Sequence, residues 1–368
     1  MQVRQLWLQD FRCYESLALE LPAGFTVVVG SNGQGKTSLL EAISWTASTS
    51  SFRGVPDAAL VRDGASSAVV RVDIAHDERS LLVEAEIRTA GRNRIQINRQ
   101  VCQRARDLLG ALRVTVFSPD DLELVKGGPA FRRRYLDDLL VAIAPRYEAA
   151  RSDYERVLRH RNILLRNGVR DVEAQSTIEV FDEQLIAAGS EIIRGRLRLI
   201  DRLLPAIRHA YATLAGEPAG FDATYVAEWS PQAILHETAE ACFREGLTKV
   251  RVREIERRVT LAGPHRDDWS LLLHGRDSRT HASQGEQRTL SLALRLAGHA
   301  ICTEVTGEAP VLLLDDVFSE LDPKRSATLL EHLPPGQTLL TTAGAVPPQV
   351  RPDQHLRVDG GKIMDLVS

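Results

Sequence analysis

The chain has 368 residues, of which 43% are hydrophobic and 26% are charged, and its formal net charge is −3. These values are typical of a globular protein with a large core, and the length suits one α/β domain with a second lobe. They exclude a membrane-spanning protein and a disulfide-stapled one, because no apolar run is long enough for a span and the four cysteines lie far apart without a CxxC pair.

The first third of the chain predicts strands and one glycine-rich turn. The segment FTVVVG, which ends at Gly30, suits a buried strand, and the residues after 37 have the apolar spacing of a helix. Residues 67–98 contain three predicted strands joined by the turn-like links HDER and AGRN, so we expect an antiparallel meander. Another short strand, RVTVF, ends before Pro119.

The middle of the chain, residues 131–214, has the pattern of long helices. Apolar or aromatic residues recur there at alternating steps of four and three, which is a heptad seam. The two runs are Leu136, Leu140, Ile143, Tyr147, Ala150, Tyr154 and Val157, then Ile193, Leu197, Ile200, Leu204, Ile207, Tyr211 and Leu214. Pro205 should kink the second helix, and Asn167-Gly168 should lie in the connecting loop. The pattern predicts a projecting antiparallel helical hairpin, with two ordinary core helices as the alternative.

The last third returns to alternating helices and strands. We expect a helix over residues 284–301, a strand VLLL, a helix from about 322 and a strand TLLTT. Both ends of the chain therefore build one α/β domain into which the helical lobe is inserted. We place the first lobe at residues 1–125 and 260–368 and the second at 126–259.

The stretch GSNGQGKT fits the phosphate-loop pattern G-x-x-x-x-G-K-[ST]. Its glycines let backbone N–H groups turn toward phosphate oxygens, Lys36 supplies a positive charge for the β- and γ-phosphates, and the Thr37 hydroxyl can ligate Mg²⁺. Its position between a predicted strand and a predicted helix favours a nucleotide site over a merely tight turn. The predicted nucleotide-binding residues here are Gly30, Ser31, Asn32, Gly33, Gln34, Gly35, Lys36, Thr37 and Ser38.

The stretch VLLLDDVFSELD, at 311–322, supplies the expected second half of that site. Asp315 ends a buried strand and can hold Mg²⁺ directly or through water, while Asp316 is placed to orient an attacking water. An apolar run that ends in an acidic residue is often no more than the end of a strand. The phosphate loop elsewhere in the chain favours a metal site over that alternative. We therefore predict ATP and Mg²⁺ as cofactors, with Thr37 and Asp315 as metal ligands and Lys36 and Asp316 as catalytic residues.

A second glycine-bearing helix entrance lies in ASQGEQRTLSLALRL, at 282–296. Ser283 is a good N-cap residue, and Glu286 three positions later completes a capping box. Such an entrance also offers free N–H groups and a positive dipole end to an anion. We therefore add Ser283, Gln284, Gly285 and Glu286 to the candidate nucleotide-binding residues.

The order of these motifs is the order found in ABC-type ATPases, and the chain specifically resembles the RecF family, bacterial recombination-repair ATPases related to the heads of SMC proteins. The matching pieces are LWLQDFRCYESLALEL, VVVGSNGQGKTSLLEAI, SSFRG, VFSPDDLELVKGGPAFRRRYLD, GPHRDDWSL, ASQGEQRTLSLALRLA and VLLLDDVFSELD. The resemblance implies an α/β fold: an ABC-type ATPase lobe, with a mixed sheet and an antiparallel meander, and an inserted helical lobe.

The resemblance also implies a nucleotide site shared between two subunits. Ser283 and Gly285 of one subunit would cover the γ-phosphate held by the other, so that ATP would join two copies head to tail. Asp322 would belong to a loop that contacts the partner. Arg12 would lie near the nucleotide, although a plain surface arginine would look the same in sequence.

Three further positions of the GPHRDD piece are candidates for residues adjacent to the site, with a structural turn as the alternative: His265, Arg266 and Asp267. Two departures from the wider ABC pattern bear on the rate. Gln284 stands where transporters often have glycine, and Thr341-Thr342 stand where many relatives have a histidine. Because a threonine hydroxyl cannot act as a base near neutral pH, we expect a slow, DNA-stimulated ATPase that serves as a switch.

The partners implied by the resemblance are duplex DNA at gaps or single-/double-strand junctions, a second copy of the chain, and RecR with RecO, which load recombinase. Arginine clusters at 132–134, 156–161, 194–202 and 251–258 can neutralise phosphates, or they can be solvated helix faces. No base-reading module is recognisable, so binding should depend on shape and charge. We expect no membrane partner and a cytoplasmic, nucleoid-associated location, since the polar start is not a secretory signal.

Two other classes of function compete with a DNA clamp. An SMC-like chromosome protein or a transporter-coupled nucleotide switch would use the same ATPase lobe, although the stretch FSPDDLELVKGGPAFRRRYLD fits a transporter poorly. A nucleotide-dependent nuclease would need a second metal centre, and no acidic cluster apart from Asp315 and Asp316 suggests one.

Overall fold

The computed structural model describes residues 1–76, 79–169, 172–218, 220–230, 232–344, 346, 348 and 350–366. The chain divides into two compact units. Unit 1 comprises Met1–Asp121, Thr213–Gly216 and Leu292–Ser368, and unit 2 comprises Leu122–Ala212 and Glu217–Ser291. Among the described residues, no helix has the length and apolar character needed to cross a membrane.

The strands are β1 (Gln2–Phe11), β2 (Tyr14–Glu20), β3 (Phe25–Val29), β4 (Ser67–His76), β5 (Arg79–Arg88), β6 (Arg94–Ile97), β7 (Gln100–Val101), β8 (Val114–Phe117), β9 (Phe221–Val226), β10 (Asp268–Leu273), β11 (Arg276–Asp277), β12 (Val311–Asp315), β13 (Thr338–Thr342), β14 (Gln354–Asp359) and β15 (Lys362–Asp365). The helices are α1 (Lys36–Ser48), α2 (Glu123–Lys126), α3 (Pro129–Ile143), α4 (Tyr147–Asn167), α5 (Val172–Ala215), α6 (Ala239–Arg257), α7 (Ser278–His281), α8 (Gln284–Thr306) and α9 (Pro323–Glu331).

Unit 1 contains two six-stranded sheets with α1 in its core. One sheet, in the order β2-β1-β4-β5-β6-β7, is antiparallel, and the other, in the order β15-β14-β3-β13-β12-β8, is mostly parallel. β3 is a central parallel strand, and such strands are buried on both faces, which explains the unbroken apolar run FTVVV. The shared core includes Leu6, Val28, Leu40, Ile43, Trp45, Val72, Leu313 and Leu339. Apolar burial of this extent holds the strand that carries the phosphate loop in a fixed position.

The predicted antiparallel meander is confirmed. β4 pairs with β5 over its whole length, with Val72 opposite Val83, and β5 pairs with β6. The predicted HDER link includes residues 77 and 78, which lie outside the described residues. β1 and β2 extend the sheet on the other side, so the first residues of the chain belong to this sheet, whereas β3 belongs to the parallel one.

The helical lobe of unit 2 differs from the predicted pair of helices at Pro145. The first heptad run is divided between α3 and α4, because proline has no N–H for the helical ladder and the residue before it, Ala144, adopts φ −140° and ψ 88°. The predicted hairpin is formed by α4 and α5. Their antiparallel arrangement is fixed by contacts such as Tyr147 Oη to the Ile192 carbonyl, at 2.6 Å. α5 runs on as one helix through Pro205.

Residues 260–291, which the sequence placed with the ATPase lobe, group with unit 2. The physical reason is a three-stranded sheet, β11-β10-β9, in which β10 pairs antiparallel with β9 from Asp268 to Leu273. Arg132 of α3 adds to this grouping, since it donates two hydrogen bonds to Asp268, at 2.8 and 2.9 Å. The sequence does not reveal this pairing, because β9 and β10 are separated by the whole of α6.

A buried ion-pair network joins α4, α5 and α6. The Arg161 guanidinium is fully buried and donates to Asp182 at 2.8 Å, to Glu254 at 2.6 Å and to the Thr260 hydroxyl at 2.8 Å. The second carboxylate oxygen of Glu254 accepts from the backbone N–H of Leu261 at 2.7 Å. Both carboxylate oxygens of Glu254 therefore accept a hydrogen bond, and the residue is fully buried.

Glu254→Gln should lower the free energy of unfolding by about 1.5–3 kcal/mol, because the new amide N–H₂ must face either the Arg161 guanidinium or the Leu261 N–H. Urea unfolding followed by circular dichroism measures the change. The control is Glu245→Gln on the same helix, where an exposed pair with Lys249 contributes less than about 1 kcal/mol. Equal effects of the two substitutions would show that the network does not stabilise unit 2.

Candidate nucleotide site

The loop between β3 and α1 has the backbone of a phosphate cradle. Gly33 and Gly35 adopt φ angles of +81° and +114°, which side-chain-bearing residues rarely adopt. Gly30 has no room for a side chain, since a Cβ there would lie 2.4 Å from the carbonyl oxygen of Val358. The glycines of the predicted pattern are thus required by conformation at two positions and by close packing at a third.

Lys36 lies within the curve of this loop and is 6% exposed. Its ammonium donates to the carbonyl oxygens of Gly30 at 2.8 Å and Ser31 at 2.9 Å. Burial lowers the pKa of Lys36, and the carboxylates of Asp316 and Asp315 act in the opposite direction. The lysine is therefore a charge held near the loop by weak neutral partners, which it can exchange for phosphate oxygens.

Asp315, at the end of β12, collects hydroxyl donors from two other elements. Thr37 of α1 donates to its Oδ1 at 2.8 Å, and Thr341 of β13 donates to the same oxygen at 2.7 Å. Burial raises the pKa of Asp315, while these two hydrogen bonds lower it. Thr341 belongs to the strand end Thr341-Thr342, where the sequence departs from the wider ABC pattern, and its hydroxyl orients the predicted metal ligand.

Asp316 adopts a left-handed backbone conformation, with φ 50°. Its backbone N–H donates to the carbonyl of Thr341 at 3.0 Å, and its Oδ1 accepts from the N–H of Ala343 at 3.3 Å. For an aspartate, the left-handed backbone conformation costs about 1–2 kcal/mol relative to the right-handed one. Asp316 adopts it where the residue lines a cavity.

A cavity of about 750 Å³ opens in front of the loop, and all its lining residues belong to unit 1. It brings together Asn32, Gly33, Gly35, Lys36, Thr37, Ser38, Arg12, Asp315 and Asp316 from the predicted set. A volume of this size is typical of sites for a nucleotide-sized ligand. The lining residues that the sequence did not single out are Cys13, Arg53, Ala59, Val61, Arg62 and Asp63. Of these, Cys13 and Arg53 lie within pieces that carried the family resemblance.

Arg12 is held in the cavity wall by a buried carboxylate. Its guanidinium makes two hydrogen bonds of 2.9 Å to Glu41 and one of 2.8 Å to the carbonyl of Ala59. Glu41 is fully buried in α1 and also accepts from the Ser51 hydroxyl at 2.5 Å. Bidentate pairing fixes the plane of the guanidinium. The guanidinium of a simple surface arginine would not be fixed in this way. Glu41 is a positioning residue that sequence reasoning missed, although it lies in the matching piece TSLLEAI.

The residues of the cavity fit Mg²⁺ only together with a phosphate ligand. Within the described residues no group of three His, Cys, Asp or Glu side chains could hold a metal by itself. Mg²⁺ is usually bound through one or two protein oxygens, water and substrate phosphates, which is what Thr37 and Asp315 can offer. The same oxygens are hard donors and would not select a thiolate-binding metal.

The helix entrance of α8 has the predicted capping box. The backbone N–H of Ser283 donates to Glu286 Oε2 at 2.7 Å, and the N–H of Glu286 donates to Ser283 Oγ at 3.3 Å. Ser283 and Gln284 are exposed, and both belong to unit 2. In the box the Ser283 oxygen acts as an acceptor, so its own hydroxyl proton remains available to an external acceptor.

Asp322 caps the N-terminus of α9. Its side chain accepts from the backbone N–H of Arg325 at 2.9 Å and pairs with the Arg325 guanidinium at 2.8 Å. The hydrogen bond from the Arg325 backbone is the main reason why the pKa of Asp322 is lowered. Asp322 thus shapes the loop that follows Asp316.

The GPHRDD piece is built into a hydrogen-bond network of unit 2. His265 Nδ1 and Tyr154 Oη share a hydrogen bond of 2.6 Å, and burial lowers the pKa of His265 to about 4. Asp267 accepts from Tyr225 Oη and, at 2.5 Å, from Trp229 Nε1, and burial raises its pKa to about 6. These partners all belong to unit 2, so their hydrogen bonds give the GPHRDD piece a structural role within that unit.

The predicted arginine clusters contain both buried and exposed members. Arg132, Arg161 and Arg196 are buried and bound to carboxylates, so they hold unit 2 together. The exposed arginines on α4 and at the end of α6, which are accessible to a phosphate backbone, include Arg156, Arg159, Arg166, Arg253, Arg257 and Arg258.

Comparison with known proteins assigns the family. Residues 2–340 match the family described as RecF/RecN/SMC N terminal domain. The DNA replication and repair protein RecF of Frankia alni is 45% identical over 353 residues, which cover 93% of each chain, and that of Streptomyces avermitilis is 44% identical with the same coverage. The chain belongs to the RecF family. RecF proteins are SMC-like ATPases of the ABC type that act in DNA replication and repair.

Solved structures of RecF relatives have the same fold. The recombination mediator protein RecF of the RecFOR pathway, solved as RecF-ATP, superimposes with a TM-score of 0.92 at 30% identity, covering 99% of this chain and 97% of the other. The same protein solved as RecF-ATPrS gives a TM-score of 0.91 at 30% identity, covering 100% and 98%. An Smc head domain from Pyrococcus furiosus, at 17% identity, 99% and 96% coverage and a TM-score of 0.56, shares the fold alone. The predicted SMC-like ABC ATPase fold is confirmed.

Proposed function

We propose that this RecF protein is an ATP-switched DNA-binding protein of recombinational repair. ATP with Mg²⁺ joins two copies head to tail, the dimer encloses duplex DNA at a gap or junction, and slow, DNA-stimulated hydrolysis releases it. RecR and RecO act with it to load recombinase. The protein works in the cytoplasm, on the nucleoid.

The observation that carries the proposal is a nucleotide cavity lined by unit 1 combined with a capped, exposed serine entrance on unit 2 of the same chain. The cavity supplies positive charge from Lys36 and Arg12 for a triphosphate. The entrance supplies the positive end of a helix dipole and a hydroxyl proton, which is the chemistry that a γ-phosphate accepts. Two copies can therefore each complete the other's site. The solved RecF-ATP relative supports ATP as the nucleotide.

The side chains of the cavity divide the catalytic work between them. Bound Mg²⁺ would neutralise charge on the β- and γ-phosphates. Lys36 would bind the phosphate oxygens, and Thr37 and Asp315 would hold the metal, with the Asp315 carboxylate oriented by the Thr341 hydroxyl. Asp316 orients a water and accepts its proton. Glu41 keeps the Arg12 guanidinium in the cavity wall.

DNA binding is expected to depend on charge and shape. The exposed arginines on α4 and α6 can neutralise phosphates, and none of them is part of a recognisable base-reading module. Binding should therefore weaken steeply with salt and vary little with base sequence. Dimerisation would place the two sets of arginines on one duplex. Binding of one set would then raise the effective concentration of the other, and with it the overall affinity for DNA.

Ser283→Arg should leave ATP affinity of the monomer within about twofold, but it should prevent ATP-induced dimers, because a bulky cation would occupy the entrance to α8. Sedimentation velocity with ATP measures the dimer, and fluorescent-nucleotide titration measures the affinity. Ser176→Arg, at an exposed position of α5 in the same unit, is the matched control and should dimerise normally. Normal dimerisation of Ser283→Arg would remove this serine from a composite site.

A further inference from the structure

The outer side of the phosphate loop is tied to the hairpin of β14 and β15 near the end of the chain. The turn of this hairpin consists of Gly360 and Gly361, with φ angles of +52° and +75°, as two-residue hairpin turns require. The N–H of Gly360 donates to the side-chain oxygen of Gln34 at 2.6 Å, and the N–H of Gly361 donates to the carbonyl oxygen of Gln34 at 3.2 Å. Both acceptors of one loop residue are therefore engaged by two successive amides.

This contact explains why Gln34, a predicted nucleotide-binding residue, has no part in lining the cavity. The lining includes its neighbours Gly33 and Gly35, whereas the Gln34 side chain is directed to the hairpin turn. Gln34 thus faces away from the ligand space and acts as the attachment point of the loop.

The hairpin packs against β3 and against Cys13, in the turn between β1 and β2. β14 pairs in parallel with β3, with Arg357 opposite Val29, so the hairpin runs beside the strand that enters the loop. A Cβ on Gly361 would lie 2.5 Å from the carbonyl oxygen of Cys13, whereas a Cβ on Gly360 would meet no atom within 4 Å.

The turn between β1 and β2 supports the next loop residue from the same side. Tyr14 is fully buried and donates through its hydroxyl to the carbonyl of Gly35 at 3.0 Å. A Cβ on Gly35 would lie 2.5 Å from the Cys13 sulfur. The carbonyls of Gln34 and Gly35 are thereby held outward, which leaves the N–H groups of the loop to face the cavity.

We propose that the Gly360–Gly361 turn is a positioning element for the phosphate loop and sets its affinity for the triphosphate through Gln34. A loop bound on its outer side is preorganised, so the ligand does not lose affinity by ordering it. The inference rests on the proposed ATP-dependent function and extends it to a turn outside the lining of the cavity.

The two glycines of the turn provide a matched pair of substitutions. Gly361→Ala forces a Cβ against the backbone of Cys13 and displaces the turn, while Gly360→Ala has the same positive-φ strain without the clash. We expect Gly361→Ala to raise the Kd and the KM for ATP roughly three- to tenfold, the range for a lost hydrogen bond, and to leave kcat within about twofold. Gly360→Ala should stay within about twofold of wild type.

A second variant tests the other side of the contact. Gln34→Leu keeps the volume of the side chain and removes the acceptor for Gly360, and it should raise the Kd for ATP in the same range. Its control is Gln103→Leu, an exposed glutamine outside the site, with no change in Kd. Thermal unfolding of all four variants without nucleotide tests folding, and Kd is compared at a temperature at which every variant is fully folded, because an unfolded fraction would raise the apparent Kd.

The outcomes separate this inference from the function on which it rests. If wild type binds ATP and both Gly361→Ala and Gln34→Leu bind it equally well, the positioning role is wrong and the proposed function stands. If wild type fails to bind ATP, the proposed function is wrong and the positioning role fails with it. A rise in KM for Gly361→Ala without one for Gly360→Ala supports the inference.

Discussion

Lys36→Met should lower the affinity for ATP by roughly a thousandfold, about 4 kcal/mol, because it removes the buried cation that faces the phosphates and leaves their charge uncompensated. Among the described residues, the partners of the lysine ammonium are two neutral carbonyl oxygens, those of Gly30 and Ser31, so its removal takes no hydrogen-bond donor from a buried carboxylate. Loss of binding should therefore occur without loss of folding. ATP-induced dimers should disappear with it, since in the proposed function the nucleotide joins the two copies.

Titration with a fluorescent ATP analogue measures the affinity, and sedimentation velocity with ATP measures the dimer. The matched control is Lys249→Met, which removes an exposed lysine that pairs with Glu245 and should change neither property. Unchanged ATP affinity in Lys36→Met would contradict the phosphate-loop assignment. Loss of dimers with retained affinity would mean that Lys36 acts at the subunit contact instead.

Asp316→Asn should lower the turnover of bound ATP by about 10²–10⁴-fold while ATP binding and dimerisation persist. Asparagine keeps the side-chain oxygen that accepts from the Ala343 N–H, so the loop after β12 should retain its shape. What is lost is the carboxylate that we propose orients the water and accepts its proton. The expected result is a dimer that remains closed for as long as ATP is present.

Single-turnover ATP hydrolysis and the lifetime of the dimer after removal of free ATP measure the two effects. Asp120→Asn, an exposed aspartate outside the site, serves as the control for a lost surface charge. Wild-type turnover in Asp316→Asn would exclude this residue from the chemistry and leave Asp315 as the only carboxylate of the pair to be tested.

Chemistry that depends on neighbouring residues could be predicted from the sequence. The phosphate loop, the Asp315-Asp316 strand end and the Ser283–Glu286 capping box each lie within a few consecutive positions, and local conformation alone brings their atoms together. The same reasoning predicted the strands and helices around them. It failed at Pro145, where a heptad pattern continued across a residue that cannot continue a helix.

Contacts between distant segments could not be predicted in this way. Glu41 meets Arg12, Thr341 meets Asp315, and Gln34 meets the Gly360–Gly361 turn only because the fold of unit 1 brings separate segments of the chain side by side. The grouping of residues 260–291 with unit 2 depends on the pairing of β9 with β10 across the length of α6. No periodicity in the chain encodes which strands become neighbours.

The sequence by itself predicted the kind of ligand and the residues that would carry its chemistry, because a phosphate cradle is a short piece of backbone whose glycines and lysine lie close together in the chain. The tertiary structure alone decided how those residues are held. Burial and hydrogen bonds from remote elements orient Arg12, Asp315 and Gln34, and such orientation is a property of packing, which forms only when distant segments exclude water together.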